Sequence, residues 1–170
     1  MFSVPNSVAV HRLKRGLHQH INSARLASGF ERDTIHQVIP GFDADGFLPP
    51  GVHPATFAEI RDRFGTTSEI RRAQTESIGW LIELAARAGA LRIILNGSFV
   101  TNIIEPNDVD CVLLIAPGAS KDPAAEDELA QGLPFLDIAL VGQKDFDYFV
   151  NRFFAVNRML RIKGMIEVVP

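Results

Sequence analysis

Leu91-Arg92-Ile93-Ile94-Leu95-Asn96-Gly97-Ser98, nine further residues, and then Asp108-Val109-Asp110-Cys111-Val112-Leu113-Leu114-Ile115 form the stretch on which the fold turns. The first apolar run predicts a strand that ends in a Gly-Ser bend, and the second a buried strand opened by two acids. Side chains two residues apart on a strand return to one face, roughly 6.5 Å from each other. Asp108 and Asp110 therefore share a face, while Val109 and Cys111 point into the other layer. Two carboxylates so placed repel one another and raise each other's pKa unless a cation lies between them. A hard, oxygen-seeking ion, Mg²⁺ or Mn²⁺, meets that need. Gly97 has no Cβ, so the chain can bend tightly and an anion can approach the backbone. Ser98 then offers its N–H and its hydroxyl to phosphate oxygens. Phe99-Val100-Thr101 could open a short helix whose N-terminal end adds a favourable dipole.

Two divalent ions about 3.5 to 4 Å apart clamp the attacking and leaving oxygens of an in-line displacement at phosphorus, and such a pair wants a third acid. Pro134-Phe135-Leu136-Asp137-Ile138-Ala139-Leu140-Val141 supplies it. Asp137 interrupts an apolar run, and a lone acid in a buried strand is expensive unless paired or metal-bound. Asp145 and Asp147 compete for the role but lie in a polar, solvated stretch. Taken singly, Gly-Ser after a strand and Pro106-Asn107-Asp108 are ordinary turn chemistry. It is their joint spacing that points to a metal-bound triphosphate, with Arg158 or Lys163 placed to neutralise charge on the leaving group.

At these residues the chain resembles the nucleotidyltransferase superfamily of the polymerase beta type, whose signature is a hydrophobic residue, Gly, Gly or Ser, a gap of nine to thirteen, and Asp-hydrophobic-Asp/Glu. More narrowly, Leu48-Pro49-Pro50-Gly51-Val52-His53, Arg63-Phe64-Gly65-Thr66-Thr67, Asn96-Gly97-Ser98-Phe99-Val100-Thr101 and Glu105-Pro106-Asn107-Asp108 resemble a family of small bacterial proteins carrying such a domain. Phe153-Phe154, Arg158 and Lys163-Gly164-Met165-Ile166 extend the likeness over about residues 39 to 170. The resemblance implies an α+β fold, a small mixed β-sheet flanked by helices. It also implies a nucleoside triphosphate donor, ATP foremost, two divalent metals, and transfer of a nucleotidyl group. Gly97 and Ser98 would form the phosphate-binding turn, Asp108 and Asp110 the metal ligands, and Asp137 the acid of the following strand. Val156 to Arg161 departs from the pattern, lacking the acid and glycine expected near its arginine. Asn96 stands where a strand-end acid or apolar residue is usual.

With 170 residues, 46% of them hydrophobic and 22% charged, the chain has room for one domain and a real core. Its single cysteine, Cys111, excludes an internal disulfide and a Cys-based zinc site, and nothing argues for an oxidising compartment. No apolar run is long enough to span a bilayer and the first residues lack a signal-peptide core, so a cytoplasmic protein without a membrane partner is expected. A net charge of −3 gives no bulk attraction to nucleic acid. An acceptor that is a protein or a small molecule therefore fits better than a long nucleic acid.

Residues 1–38 read as a helical N-terminal extension and 39–170 as the nucleotidyltransferase-like domain. The extension holds four of the five histidines, and Val10, Leu13, Leu17, Ile21 and Ala24 fall at helical spacing from about Ser7 to Ser28. A second short helix is expected from Glu31 to Val38. The histidines read as a solvated basic face rather than a metal site, and the amphipathic helix could dock on a partner or on a second copy. Pro40 to Gly51 is turn-rich and reads as a linker. Pro54 suits the first turn of a helix ending at Phe64, with Gly65 at C′. Thr67 or Ser68 caps the next helix, with Ile70, Ala73, Ser77, Leu81, Leu84 and Ala88 as its stripe, Trp80 and Ile82 extending the buried face, and Gly89 as its stop. Short helices are expected at 124–131 and 146–154, and a last strand at 164–169. The function expected is a metal-dependent nucleotidyltransferase acting on an unidentified acceptor, in a form that could serve as the antitoxin of a toxin and antitoxin pair. The alternative is a catalytically inactive module of the same fold that binds a partner or a nucleotide.

Overall fold

The computed structural model describes residues 39–118 and 122–170. The helices expected within residues 1–38, with their histidines, lie outside the described residues. What is described is an α+β fold, a five-stranded mixed sheet with four helices.

The strands are β1 (Gly51–Thr56), β2 (Arg92–Asn96), β3 (Val109–Leu114), β4 (Leu136–Val141) and β5 (Gly164–Val169), in the order β1-β5-β2-β3-β4. β2 runs antiparallel to both neighbours, while β1 and β5, and β3 and β4, pair in parallel. The helices are α1 (Phe57–Phe64), α2 (Glu69–Ala88), α3 (Pro123–Gln131) and α4 (Gln143–Tyr148). Alternation along the strands separates two cores. Leu95, Val109, Cys111, Leu113 and Ile166 join Ile60, Ile78, Leu81, Leu84 and Leu129 of the helices in the larger one. Ile94, Val112, Leu114 and Met165 meet Phe146, Val150 and Phe154 in the smaller. On that second face Arg92 holds Glu167 through two hydrogen bonds of 2.6 and 2.8 Å and lies over the Phe146 ring, so α4 seals only the apolar end of the sheet.

Four expectations are corrected here. Pro54 belongs to β1, not to a helix, and this is physically acceptable because β1 is an edge strand that can spare an N–H. The helix starts after Thr56, whose side chain and Glu59 form a reciprocal capping box. Gly65 closes that helix at φ −91°, so its small size is required by space instead: a Cβ there would lie 2.5 Å from Thr75 Oγ1 and 2.8 Å from the Arg61 carbonyl. Trp80 is 48% exposed, because the buried face of α2 runs through Ile78, Leu81 and Ala85 and turns residue 80 to solvent. The last predicted helix begins earlier, at Gln143, and loosens into a π-helical turn over Phe149–Phe153. Ser68 caps α2 through the Arg71 N–H, and Gly89 ends it in the left-handed conformation that favours glycine.

The first turns of α2 bury polar residues that lie outside the stripe read from the sequence, Arg71 and Gln74 among them. All five N–H groups of Arg71 are used: Nε on the Ile103 carbonyl at 3.0 Å, Nη1 on those of Phe64 and Phe99 at 3.1 and 2.9 Å, and Nη2 on those of Thr101 (2.9 Å) and Ile103. Gln74 adds a bond to the Pro106 carbonyl at 3.0 Å and Ser68 one to that of Ile104 at 2.9 Å. Together they fasten the segment that joins β2 to β3 against α2, with Phe99 and Val100 driven into the larger core. Removing the guanidinium strands several buried carbonyls, so Arg71→Met is expected to cost about 3 kcal/mol or more of unfolding free energy in urea titration, with Arg71→Lys only partly recovering it. A change within roughly 0.5 kcal/mol, typical of a surface substitution, would show the clamp to be dispensable.

Candidate active site

The register of β2, β3 and β4 decides where the acids stand. Asn96 is opposite Asp110, and Asp110 is opposite Asp137, so the three form a row across adjacent strands on the face that α4 covers elsewhere. Neighbours in such a row are about 4.8 Å apart. Asp108 lies one residue ahead of β3 and is exposed. Val109 donates its N–H to the Phe135 carbonyl at 3.0 Å, which starts the β3–β4 ladder just after Asp108. Asp137 is exposed too: β4 is the edge of the sheet, so the buried strand expected around this acid is a half-open one.

Gly97 follows Asn96 with φ +80° and ψ −164°, a conformation available essentially to glycine alone. A Cβ there would sit 2.9 Å from Asp110 Oδ2 and 3.1 Å from the Asp110 nitrogen, so the bend lies directly against the acid. The expected helix after Ser98 is a single 3₁₀ turn, Ser98–Val100, too short to lend a helix dipole. Ser98 Oγ accepts the Asn107 N–H at 3.1 Å and ties the bend to the residue before Asp108.

Asp110 feels the whole set. Burial raises its pKa first, the charges of Asp108 and Asp137 raise it further, and those of Lys163 and Arg158 pull it back. Asp108, Asp137, Lys163 and Arg158 thus all act on one carboxyl group, and the Gly97 bend leaves no room for a Cβ beside it. Arg158 is exposed, on a short hairpin in which Val156 bridges Ile162 and the Asn157 N–H meets the Arg161 carbonyl at 2.9 Å. Arg161 pairs with Asp45 and ties this hairpin to the Asp43–Phe47 turn. Lys163, at the hairpin's root, is only 7% exposed and donates from Nζ to Asn96 Oδ1. Burial lowers its pKa from 10.5 to about 8, and the Asp110 charge acts in the other direction.

The donor set suits a hard divalent cation: three carboxylates, one half-buried and repelled by the other two. Among the described residues, however, no three carboxylate, imidazole or thiolate groups stand close enough together to enclose an ion as they are. Asp108 and Asp137 would have to turn their exposed side chains toward Asp110 to close on one. Sequence reasoning missed Asn96 as a participant. It treats this residue as a deviation at the strand end, although a buried amide beside a buried lysine has an evident task. It also missed Arg71 and Gln74, whose signal was their place on the α2 face adjoining the apolar stripe.

Because the buried ammonium is disfavoured in the folded state, the unfolded chain binds more protons between about pH 8 and 10.5, and stability rises with pH across that window. The expected gain is on the order of 3 kcal/mol between the two limits. Urea titrations of wild type and Lys163→Met from pH 7 to 10.5 check it: the rise should be absent from the variant, and a parallel pH dependence would show that Lys163 does not cause it.

Residues 40–169 match a family of unknown function (DUF6932) over more than half of the chain, and the chain belongs to that family. No curated protein and no solved structure matches it. No helix among the described residues is long and apolar enough to cross a membrane.

Proposed function

We propose that this DUF6932 chain is a nucleotidyltransferase-type domain that moves a nucleotidyl group from a nucleoside triphosphate, ATP foremost, to an acceptor hydroxyl. The observation that carries the reading is the Gly97 bend pressed against Asp110 while Asp137 stands in register beside it and Asp108 acts on the same carboxyl. Asp108, Asp110 and Asp137 would hold Mg²⁺ or Mn²⁺, which when bound supplies the charge that orients the triphosphate and acidifies the acceptor hydroxyl. Gly97 and Ser98 present backbone N–H groups and a hydroxyl to the phosphates, with no Cβ at residue 97 to obstruct them. Arg158, on its exposed hairpin, meets the charge that accumulates on the departing pyrophosphate. The acceptor oxygen bonds to the α-phosphorus as the bond from that phosphorus to the β-bridging oxygen breaks, and the hydroxyl proton passes to solvent.

A protein or small-molecule acceptor fits this net-negative chain, and an antitoxin that nucleotidylates its toxin belongs to that class. A second reading, nucleotide binding without transfer, is favoured by the separation of Asp108 and Asp137 from a closed three-ligand arrangement.

Titrating a nonhydrolysable ATP analogue with Mn²⁺ should give binding in wild type and a loss of roughly 100-fold in Asp108→Asn and Asp110→Asn, since losing a ligand costs at least what losing its outer-shell partner does. In a cell extract, label from α-labelled ATP should pass to an acceptor while γ label does not, and Asp110→Asn should abolish the transfer. Binding unaffected by either substitution, or absent at millimolar analogue, refutes the site. Intact binding with no transfer of α label selects the second reading.

A further inference from the structure

We propose that the outer edge of β4 takes up an extended, basic segment of another protein as an added strand and presents a hydroxyl-bearing residue of that segment to the acid row. The inference rests on the function proposed above and names its acceptor as a protein.

The β3–β4 ladder begins where the Val109 N–H donates to the Phe135 carbonyl at 3.0 Å and ends where that of Ile115 donates to the Val141 carbonyl at 2.9 Å, with unbroken register between. In a parallel ladder, alternate residues turn both of their main-chain groups toward the same neighbour. Residues 135, 137, 139 and 141 therefore face β3, and the N–H and carbonyl groups of Ile138 and Leu140 face away from the sheet. Among the described residues no strand lies beyond them. Proteins ordinarily blunt such an edge with a proline, a lysine or a bulge. The opposite edge, β1, carries Pro54, whereas Leu136-Asp137-Ile138-Ala139-Leu140-Val141 carries none of the three.

Charge decides what this edge receives. From Pro123 to Tyr148 the chain holds Glu126, Asp127 and Glu128 on α3, Asp137 on β4, and Asp145 and Asp147 on α4, against Lys144 alone. Ala125 and Leu129 root α3 in the larger core and Phe146 roots α4 in the smaller, so these acids flank the edge from both faces of the sheet. Arg87 is held by Asp122 and Arg92 by Glu167, and the hairpin of Arg158 and Lys163 leads into β5, three places along the sheet from β4. Lysine and arginine side chains are drawn to such an edge, and the phosphates of a nucleic acid are repelled by it. A second copy of this chain pairing through its own β4 would set the same acids against each other. Phe135, 45% exposed at the head of the strand, offers the incoming segment an apolar contact.

Register brings the docked segment to the chemistry. Main-chain bonds to Ile138 and Leu140 place one residue of the added strand opposite Asp137, about 4.8 Å away and with its side chain on the same face. The row of Asn96, Asp110 and Asp137 then gains a fourth member, and this member carries the hydroxyl. Its oxygen bonds to the α-phosphorus, the bond from that phosphorus to the β-bridging oxygen breaks with its electron pair leaving on pyrophosphate, and the hydroxyl proton passes to solvent.

The test incubates the full chain with Mg²⁺, α-labelled ATP and an array of short synthetic peptides, each with a central Ser, Thr or Tyr and randomised flanks. Label is expected on peptides rich in Lys and Arg, and N-methylation of alternate flanking amides in a labelled peptide should lower its labelling at least roughly ten-fold, because strand addition needs those groups. Ile138→Pro, a change an edge strand tolerates, removes an outward N–H and should lower labelling to a similar degree. The double variant Asp127→Lys with Asp145→Lys, at two exposed positions, should lower labelling of basic peptides roughly ten-fold and decides the matter with the N-methylated peptides should Ile138→Pro fail to fold. Both variants are expected to bind the nonhydrolysable ATP analogue with Mn²⁺ as wild type does. Labelling indifferent to peptide charge or to these changes, label on an RNA oligonucleotide in place of peptides, or no label at all from a chain that binds the analogue overturns the inference and leaves nucleotide binding at the site standing. A wild-type chain that neither labels peptides nor binds the analogue overturns the proposed function as well.

Discussion

The Arg71 guanidinium is the constraint on which the rest of the molecule depends. β2 and β3 are hairpin neighbours separated by a long segment, and a segment of that length carries backbone carbonyls that need partners when they are drawn against a helix. Arg71 meets three of those needs with one side chain, bonding the carbonyls of Phe99, Thr101 and Ile103, and it also holds that of Phe64 at the end of α1. Burial lowers its pKa, yet the group stays charged because arginine's ordinary value is so high. The charge strengthens each hydrogen bond, and the planar fork fixes their directions. With the segment fastened, the bend at Gly97 and the entry to β3 at Asp108 cannot drift apart. The geometry of the acid row is thus set by a residue on a helix on the opposite side of the sheet.

How much of this was legible in the sequence depended on whether one face or two had to be known. β2, β3, β4 and β5 announced themselves through apolar runs of the right length, and the caps Ser68 and Gly89 marked the ends of α2. β1 did not, because Val52-His53-Pro54-Ala55 has neither alternation nor an apolar run, and only the pairing with β5 makes it a strand. The proline suggested a helix start, and tertiary pairing at an edge outweighed that local preference. Trp80 was misread for a related reason: the apolar stripe gave the general direction of the buried face but not its width, and residue 80 falls just outside it.

The acids were found from spacing, since alternation along a strand and register between strands are properties of the backbone. That Asp110, Asp137 and Asn96 fall in one row required the pairing of three strands, which no local pattern encodes. Nor could spacing show that β4 is an edge. The argument that a lone acid in a buried strand must have a partner therefore reached Asp137 through a premise the structure does not share. Its position opposite Asp110 is the sounder reason to place it in the site.

The buried lysine is where stability and chemistry part. Taking an ammonium out of water is costly, and a chain selected only to fold would put an apolar side chain at residue 163, as replacing buried ionic groups with well-packed hydrophobes often stabilises a protein. Here Lys163 instead is buried against Asn96 and within the field of Asp110, whose acid neighbours Asp108 and Asp137 are exposed and gain nothing for the fold by standing beside it. Repulsion among the acids and desolvation of the lysine both work against folding, and the attraction between Asp110 and Lys163 offsets only part of either. The costs sit side by side on a face that Phe146 and the Arg92–Glu167 pair seal elsewhere, and grouped ionisable residues perturbed in this way are what make this row the candidate site.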